Sequence, residues 1–445
     1  MELKLTTSYR SILNLALPIS MALLVPQINF ITNNIFLGGL GQQELAIVGI
    51  TGVYYLIFAV IGNGLNNGLQ ALISRRAGQD RPKEIGRVFF HGIWIALFIA
   101  GFGIIVTQTL APSVLRATIH ERVIAETAID FLRIRIWGLP LLYLYIMRNA
   151  LLVGTNQTRL LVWGTIAEAL TNIVLDYGLI YGKLGMPELG FNGAAYASII
   201  AEGAGLVVIY IVIHVQGISK AFALFENIRW DGNLAKLILV KSSPLIAQFS
   251  ISIATWEFFY ILIEHHGERA LAISNTMRNI FGLFGIFSWS FAATANTMVS
   301  NIIGQGREHE VMPVVMRIVR CSFSISFVLF LLLNLVPEWF LSFYGQEEAF
   351  IQEAIPVVRV VSIALLMMSF GPVWLNAVTG TGNTTINLWI EMITLVVYII
   401  YVYMVLEYYN MPITWGWASE WVYWLSMFSM SFLYMKSGRW KGKEM

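Results

Sequence analysis

Glu168, Asn172 and Asp176 recur every four residues within a stretch that is otherwise almost wholly apolar. On a helix that spacing puts all three on one stripe, with the outer two about 12 Å apart along the axis. A carboxylate at mid-bilayer costs at least about 2.5 kcal/mol on insertion scales, so each one implies a partner, a proton or a task. Two carboxylates and an amide on one stripe have the chemistry of a proton or small-cation site. Glu168 lies 17 residues before Gly185, the centre of a turn, and Glu202 lies 17 after it, so both belong at similar depth. If they face one another, repulsion and lost hydration favour a shared proton. The alternative, which residue counting alone favours, points Glu202 elsewhere, onto a backbone or hydroxyl partner.

The same depth argument around Gly267 sets Glu257, ten residues before it, against Arg278, eleven after. An ion pair there would hold two helices together or act as a gate. Asp130 precedes Arg133 by three residues, the spacing of a local ion pair. Arg148 and Glu391 fall near the ends of apolar runs, where long side chains reach toward the interface. The six histidines are mostly at run ends, and the adjacent His265 and His266 read as solvated loop residues. In the first run Asn29 and Asn33 share a face, beside Thr32 and Asn34. Pro26 removes an amide donor and crowds the Ala22 carbonyl, which predicts a bend. Most of the tryptophans of the second half read as an interfacial belt or lipid-facing residues.

The elements that must position these residues are membrane helices. Of 445 residues only 12% are charged, 57% are apolar, and the mean hydropathy is +0.69. Long apolar runs fall at about 12–37, 46–73, 87–110, 125–153, 159–181, 190–214, 236–265, 271–303, 313–336, 350–379, 386–407 and 412–436, each near the ~20 residues that cross a bilayer. Only helices suit them, because strand alternation is missing and lipid offers no partner for open backbone amides. With both termini cytoplasmic, nineteen basic residues fall in inside segments, four outside and five within runs. That alternation supports an even span count. The net charge of +2 points to no nucleic acid, and the lone Cys321 excludes an internal disulfide or thiolate metal site. The first run lacks a convincing cleavage site and is expected to be retained.

Sliding the chain along itself until Pro18 falls on Pro244 also places Gly41 on Gly267, Ser74 on Ser300, Gly78-Gln79 on Gly304-Gln305 and Arg133 on Arg359. That offset spans six runs, an even number, so the copies share one orientation and form parallel repeats. The expected fold is all-α: twelve transmembrane helices in two parallel pseudosymmetric six-helix bundles, lobes 1–220 and 221–445, divided by the hydrophilic link at about 215–235. Such bundles place substrate between moving halves. No nucleophile motif, zinc spacing or phosphate loop argues for an enzyme, and no nucleotide-binding domain for ATP-driven transport.

The run Asn172-Ile-Val-Leu-Asp176-Tyr-Gly-Leu-Ile-Tyr-Gly182, with Gly185-Met-Pro-Glu-Leu-Gly190 and Gly193-Ala-Ala-Tyr-Ala-Ser198, resembles spans five and six of the multidrug and toxic compound extrusion (MATE) family. Leu15-Ala-Leu-Pro18, Ile35-Phe-Leu-Gly38 and Ile303-Gly304-Gln305-Gly306 add to that likeness. The resemblance implies a bacterial inner-membrane antiporter that exports small lipophilic or cationic compounds against H⁺ or Na⁺ by alternating access. It implies no cofactor beyond the coupling ion, no nucleic acid partner, contact with membrane lipids and a monomeric state. It assigns Asn172 and Asp176 to a coupling-cation site with Ser198, and Asn33 stands where relatives carry an aspartate. Asn33 offers an oxygen to Na⁺ but carries no proton, which leaves proton coupling to Asp176 or Glu168. The seventh-span acid of some relatives is displaced: Ser252 occupies its expected place and Glu257 comes five residues later. Pro26 resembles a switching proline. A lipid-precursor flippase of the same superfamily is the competing reading, and the small number of intramembrane basic residues counts against it.

Overall fold

The structure, a computed structural model, describes residues 3–119, 121–226, 229–342 and 347–442. His120 and the side chains of Asn29 and Asn34 lie outside the described residues. All regular structure among the described residues is helical. Twelve long helices follow in order: α1 Tyr9–Gly38, α2 Gln42–Gly78, α3 Pro82–Thr109, α4 Arg122–Gly154, α5 Leu161–Tyr181, α6 Phe191–Val215, α7 Gly232–Glu264, α8 Glu268–Gly304, α9 Val311–Leu335, α10 Glu348–Gly380, α11 Thr384–Val402 and α12 Ser419–Lys436. Two of them are interrupted. A 3₁₀ turn at Ile136–Gly138 breaks α4, and Ser369 and Phe370 break α10; each resumes with a proline in its first turn, Pro140 or Pro372, where a missing amide is harmless. Helix α1 continues through Pro18 and Pro26.

Ten of these helices are long and apolar enough to cross a membrane. The other two, α8 and α12, fall short because they spend polar residues on packing. Ser288, Ser290, Thr294, Asn296, Thr297, Ser300 and Asn301 are buried along α8, and Ser419, Glu420 and Ser431 along α12. Between α7 and α8 the chain turns at Gly267, whose φ of 95° suits only glycine.

One compact unit comprises Met21–Ile246; the other joins Met1–Ser20 to Ala247–Met445. The compact units therefore divide within α1 and α7, two residues past Pro18 and Pro244, whereas the sequence suggested the link near 220. Packing explains this. Ile12, Leu15 and Ala16 share a core with Phe259, Met298 and Ile302. The start of α7 instead lies against glycines of α2: a Cβ on Gly64 would stand 2.6 Å from the Ile246 Cα, and one on Gly68 2.3 Å from the Ser242 hydroxyl. The repeat offset carries Ile246 to Ser20 and Gly64 to Ser290, and Ser20 and Ser290 share a 2.7 Å hydrogen bond. The repeat is thus visible as matched contacts.

Candidate functional site

In the unit Met21–Ile246, α5 turns its polar stripe inward: Asn172 is 4% and Asp176 0% exposed. Glu168, at the other end of the stripe, is half-buried with its Oε2 shielded from solvent and without a hydrogen-bond partner among the described residues. It stands in the field of Glu202, Tyr145, Arg148 and Arg135.

That neighbourhood is assembled from four helices. Arg135, where α4 breaks, donates through both Nη atoms to Glu202 of α6, with Nη1 3.1 Å from Oε2. Its guanidinium lies 4.0 Å from the Tyr55 ring centre of α2. The fork needs Gly138, since a Cβ there would stand 2.5 Å from Arg135 Nη1. Arg148 is 1% exposed and lies over the Tyr145 ring at 3.7 Å. Its Nε donates to the Tyr145 carbonyl and its Nη1 to the Leu161 carbonyl, both at 3.2 Å. The Tyr145 hydroxyl donates to Thr165, which donates to Leu161. Gly205 of α6 admits Glu168: a Cβ there would stand 2.9 Å from the Glu168 Cβ.

Depth counting therefore placed Glu168 and Glu202 in one neighbourhood but missed Arg135, which holds Glu202. Arg148 does not reach the interface as expected; an aromatic face and two carbonyls retain it inside. Asp130 and Arg133 do not form the expected ion pair. Both side chains are exposed, and nearby Arg116 instead takes Glu126 in a two-point bridge of 2.7 and 2.9 Å. Asn33 and Ser198 are half-buried on α1 and α6. Phe36, three residues past Asn33, packs on Tyr177 and Tyr181, and the Tyr181 hydroxyl donates to the Phe36 carbonyl, which lays the end of α1 along the Asp176 end of α5.

In the other unit Glu257 and Arg278 do not form the expected ion pair. Arg278 faces Trp256 at 5.1 Å and Tyr260 at 5.3 Å, an aromatic seat that stabilises a cation without a carboxylate. Glu391 is 1% exposed, although its sequence position suggested the interface. It accepts hydrogen bonds from Ser252 at 2.6 Å and from Tyr423. Ser252 is where relatives were expected to carry their seventh-span acid, so here the carboxylate reaches that place from α11. Glu420, buried against Trp424 and Trp256, also escaped the sequence reading. Its surroundings are aromatic, and nothing in its local spacing flagged it.

The family model MatE matches residues 18–178 and 244–404, two stretches in the register of the internal repeat, since Pro18 and Pro244 begin them. The chain belongs to the MatE family. Among curated relatives, the "Probable multidrug resistance protein NorM" of Thermotoga maritima is 21% identical over 97% of this chain and 93% of its own length. The protein of the same name from Synechocystis is 29% identical over 43% of this chain and 42% of its own length. A solved structure described as the outward-facing conformation of a multidrug resistance MATE family transporter shares the fold, with TM-score 0.89 at 19% identity, covering 96% of this chain and 94% of that one. This MatE chain is accordingly an integral, multi-pass membrane protein of two six-helix bundles.

Proposed function

We propose that this MatE protein is a secondary-active exporter of small lipophilic or cationic compounds, driven by proton influx through alternating access, with Glu168 as the proton-carrying group. Asp176 and Asn172, with Asn33 and Ser198, form the adjoining polar stripe that relays the protonation state. The observation that carries the reading is the charge count around Glu168. Arg135 is consumed by Glu202, so loading or unloading a proton at Glu168 changes the net charge of a shielded centre by one. A proton needs no coordination shell. Sodium needs several oxygens and would sit beside two guanidinium groups. The relatives' names support the substrate class, and their bacterial origin supports an inner-membrane location, with both termini cytoplasmic. Both arginines are engaged, which leaves no free cationic surface at this centre of the kind a flippase for lipid-linked anions needs.

The test is uptake of a fluorescent organic cation into vesicles holding the reconstituted protein. A pH gradient should drive it, and Glu168→Gln should abolish that component while the protein remains folded. Uptake driven by Na⁺ alone, or full pH-driven uptake by Glu168→Gln, would overturn the assignment.

A further inference from the structure

Each compact unit begins a long helix for the other, and each holds the start of that helix with a clasp. In one, the Leu5 amide donates to Asn301 Oδ1 at 3.0 Å, and Gln305 Nε2 donates to the Leu5 carbonyl at 3.0 Å. Arg317 Nη1 donates to the Thr7 carbonyl at 2.6 Å and hydroxyl at 3.1 Å. The repeat offset pairs Leu5 with Asp231, Thr7 with Asn233 and Arg317 with His91. That equivalent place holds a second clasp of different chemistry. The Asp231 amide donates to His91 Nε2 at 2.8 Å, and Arg87 Nη2 donates to Asp231 Oδ2 at 2.9 Å. Asp231 Oδ1 accepts the amides of Asn233 and Leu234 at 3.0 and 3.3 Å and so caps α7.

These partners define the state of the imidazole. Its Nδ1 lies 2.7 Å from the Arg87 carbonyl, which can only accept, so Nδ1 carries the hydrogen. Nε2 then accepts from Asp231 and is unprotonated. The ring is 0% exposed, with Trp230 at 5.1 Å on one side and Phe90 at 5.6 Å edge-on. A second proton would turn the contact between Nε2 and the Asp231 amide into two opposed N–H groups, buried away from water that could relieve them. The charged groups facing the ring are Arg87 from its own helix and Asp231 from the start of α7. From α2, Leu69 fills the space beside Gly92. Asp231 is not free to turn toward a charged ring: its oxygens are engaged by Arg87 and by two amides, which hold its carboxyl below the usual range.

We infer that His91 is a titratable clasp on the first half of α7, closed when neutral and opened by protonation, while the repeat-equivalent Arg317 clasp on α1 stays closed. The sign follows from the donor count: docking is complete at high pH and weakens as pH falls. An acid-sensitive start of α7, the helix that passes from one unit into the other at Ile246, ties the mobility of one half-helix alone to proton concentration.

Hydrogen–deuterium exchange of the full chain in lipid nanodiscs, corrected for intrinsic rates, tests this between about pH 8 and about pH 5.5, the interval in which imidazoles titrate. Amides 231–236 should exchange at least tenfold faster at the acid end, and amides 5–8 should not. His91→Gln, whose oxygen accepts the Asp231 amide at any pH, should remove the difference. Unchanged protection in the wild type, or pH dependence that survives His91→Gln, overturns the inference. Nitrogen NMR of the wild-type ring is independent of how that variant folds. It should show a hydrogen on Nδ1 alone at about pH 8 and on both nitrogens at about pH 5.5; a ring doubly protonated at the upper pH, or neutral at the lower, overturns the inference equally.

Discussion

Removing Glu202 should expose how much the fold leans on one buried pair. The side chains of Arg135 and Glu202 are 12% and 7% exposed. At an effective dielectric of about 20, unit charges about 4 Å apart attract by about 4 kcal/mol. Deleting one partner of such a pair costs about 3–5 kcal/mol, because the survivor stays buried without compensation. Glu202→Gln keeps one acceptor oxygen for Arg135 and belongs at the low end; Glu202→Leu belongs at the high end. The double variant Arg135→Met/Glu202→Leu removes both charges and should recover most of the loss. Thermal unfolding of the purified protein in detergent measures the stabilities, and vesicle transport at several pH values measures the function. If the pair also sets the field at Glu168, the double variant will fold yet transport with a displaced pH profile. A Glu202→Leu protein as stable as wild type would refute the pair as a structural element, and an unchanged pH profile in the double variant would refute its influence on Glu168.

Three further outcomes test the packing. Gly64→Ala should destabilise by at least the roughly 1–3 kcal/mol typical of overpacking, because its Cβ meets the backbone of Ile246; an unshifted unfolding temperature would show that α2 and α7 can part there at no cost. Gly205→Ala should lower pH-driven uptake far more than thermal stability, since its nearest neighbours include Glu168 and Tyr145; equal loss in both would detach the glycine from the coupling centre. Arg148→Lys should be as poorly tolerated as Arg148→Leu, because an ammonium cannot reproduce the stacked, two-carbonyl seat; wild-type stability in the lysine variant would contradict this.

Span number, repeat and stripe were legible because each depends on periodicity, which survives in a single sequence. The repeat offset predicts which residues are equivalent, and the contacts of Ser20 with Ser290 and Ile246 with Gly64 obey it. What was not legible is direction within a depth. Counting from a turn places Glu257 level with Arg278, but only rotation about the helix axis decides that Arg278 meets Trp256 and Tyr260 instead. Likewise a position near the end of a run does not reveal that Arg148 or Glu391 turns inward. The compact-unit boundary escaped for a related reason: polarity marks links between helices, whereas the division lies inside two apolar helices and is written in glycines and core contacts.

The two units differ most in how they hold buried carboxylates, and that difference sharpens the case for proton handling in one of them. Glu168 and Glu202 share their surroundings with two arginines. Glu391 has hydroxyl donors, Ser252 and Tyr423, both on Oε1, while Oε2 is buried without a hydrogen-bond partner among the described residues. An amide in its place would keep both accepted bonds through its carbonyl oxygen, so Glu391→Gln should fold with wild-type thermal stability, and its transport then reports on charge alone. If coupling resides with Glu168, Glu391→Gln will retain a pH-dependent rate close to wild type where Glu168→Gln loses it. Loss of pH-driven uptake in a stably folded Glu391→Gln protein would instead place an obligatory proton in the second unit, and the arginine-flanked centre would then be a structural clamp.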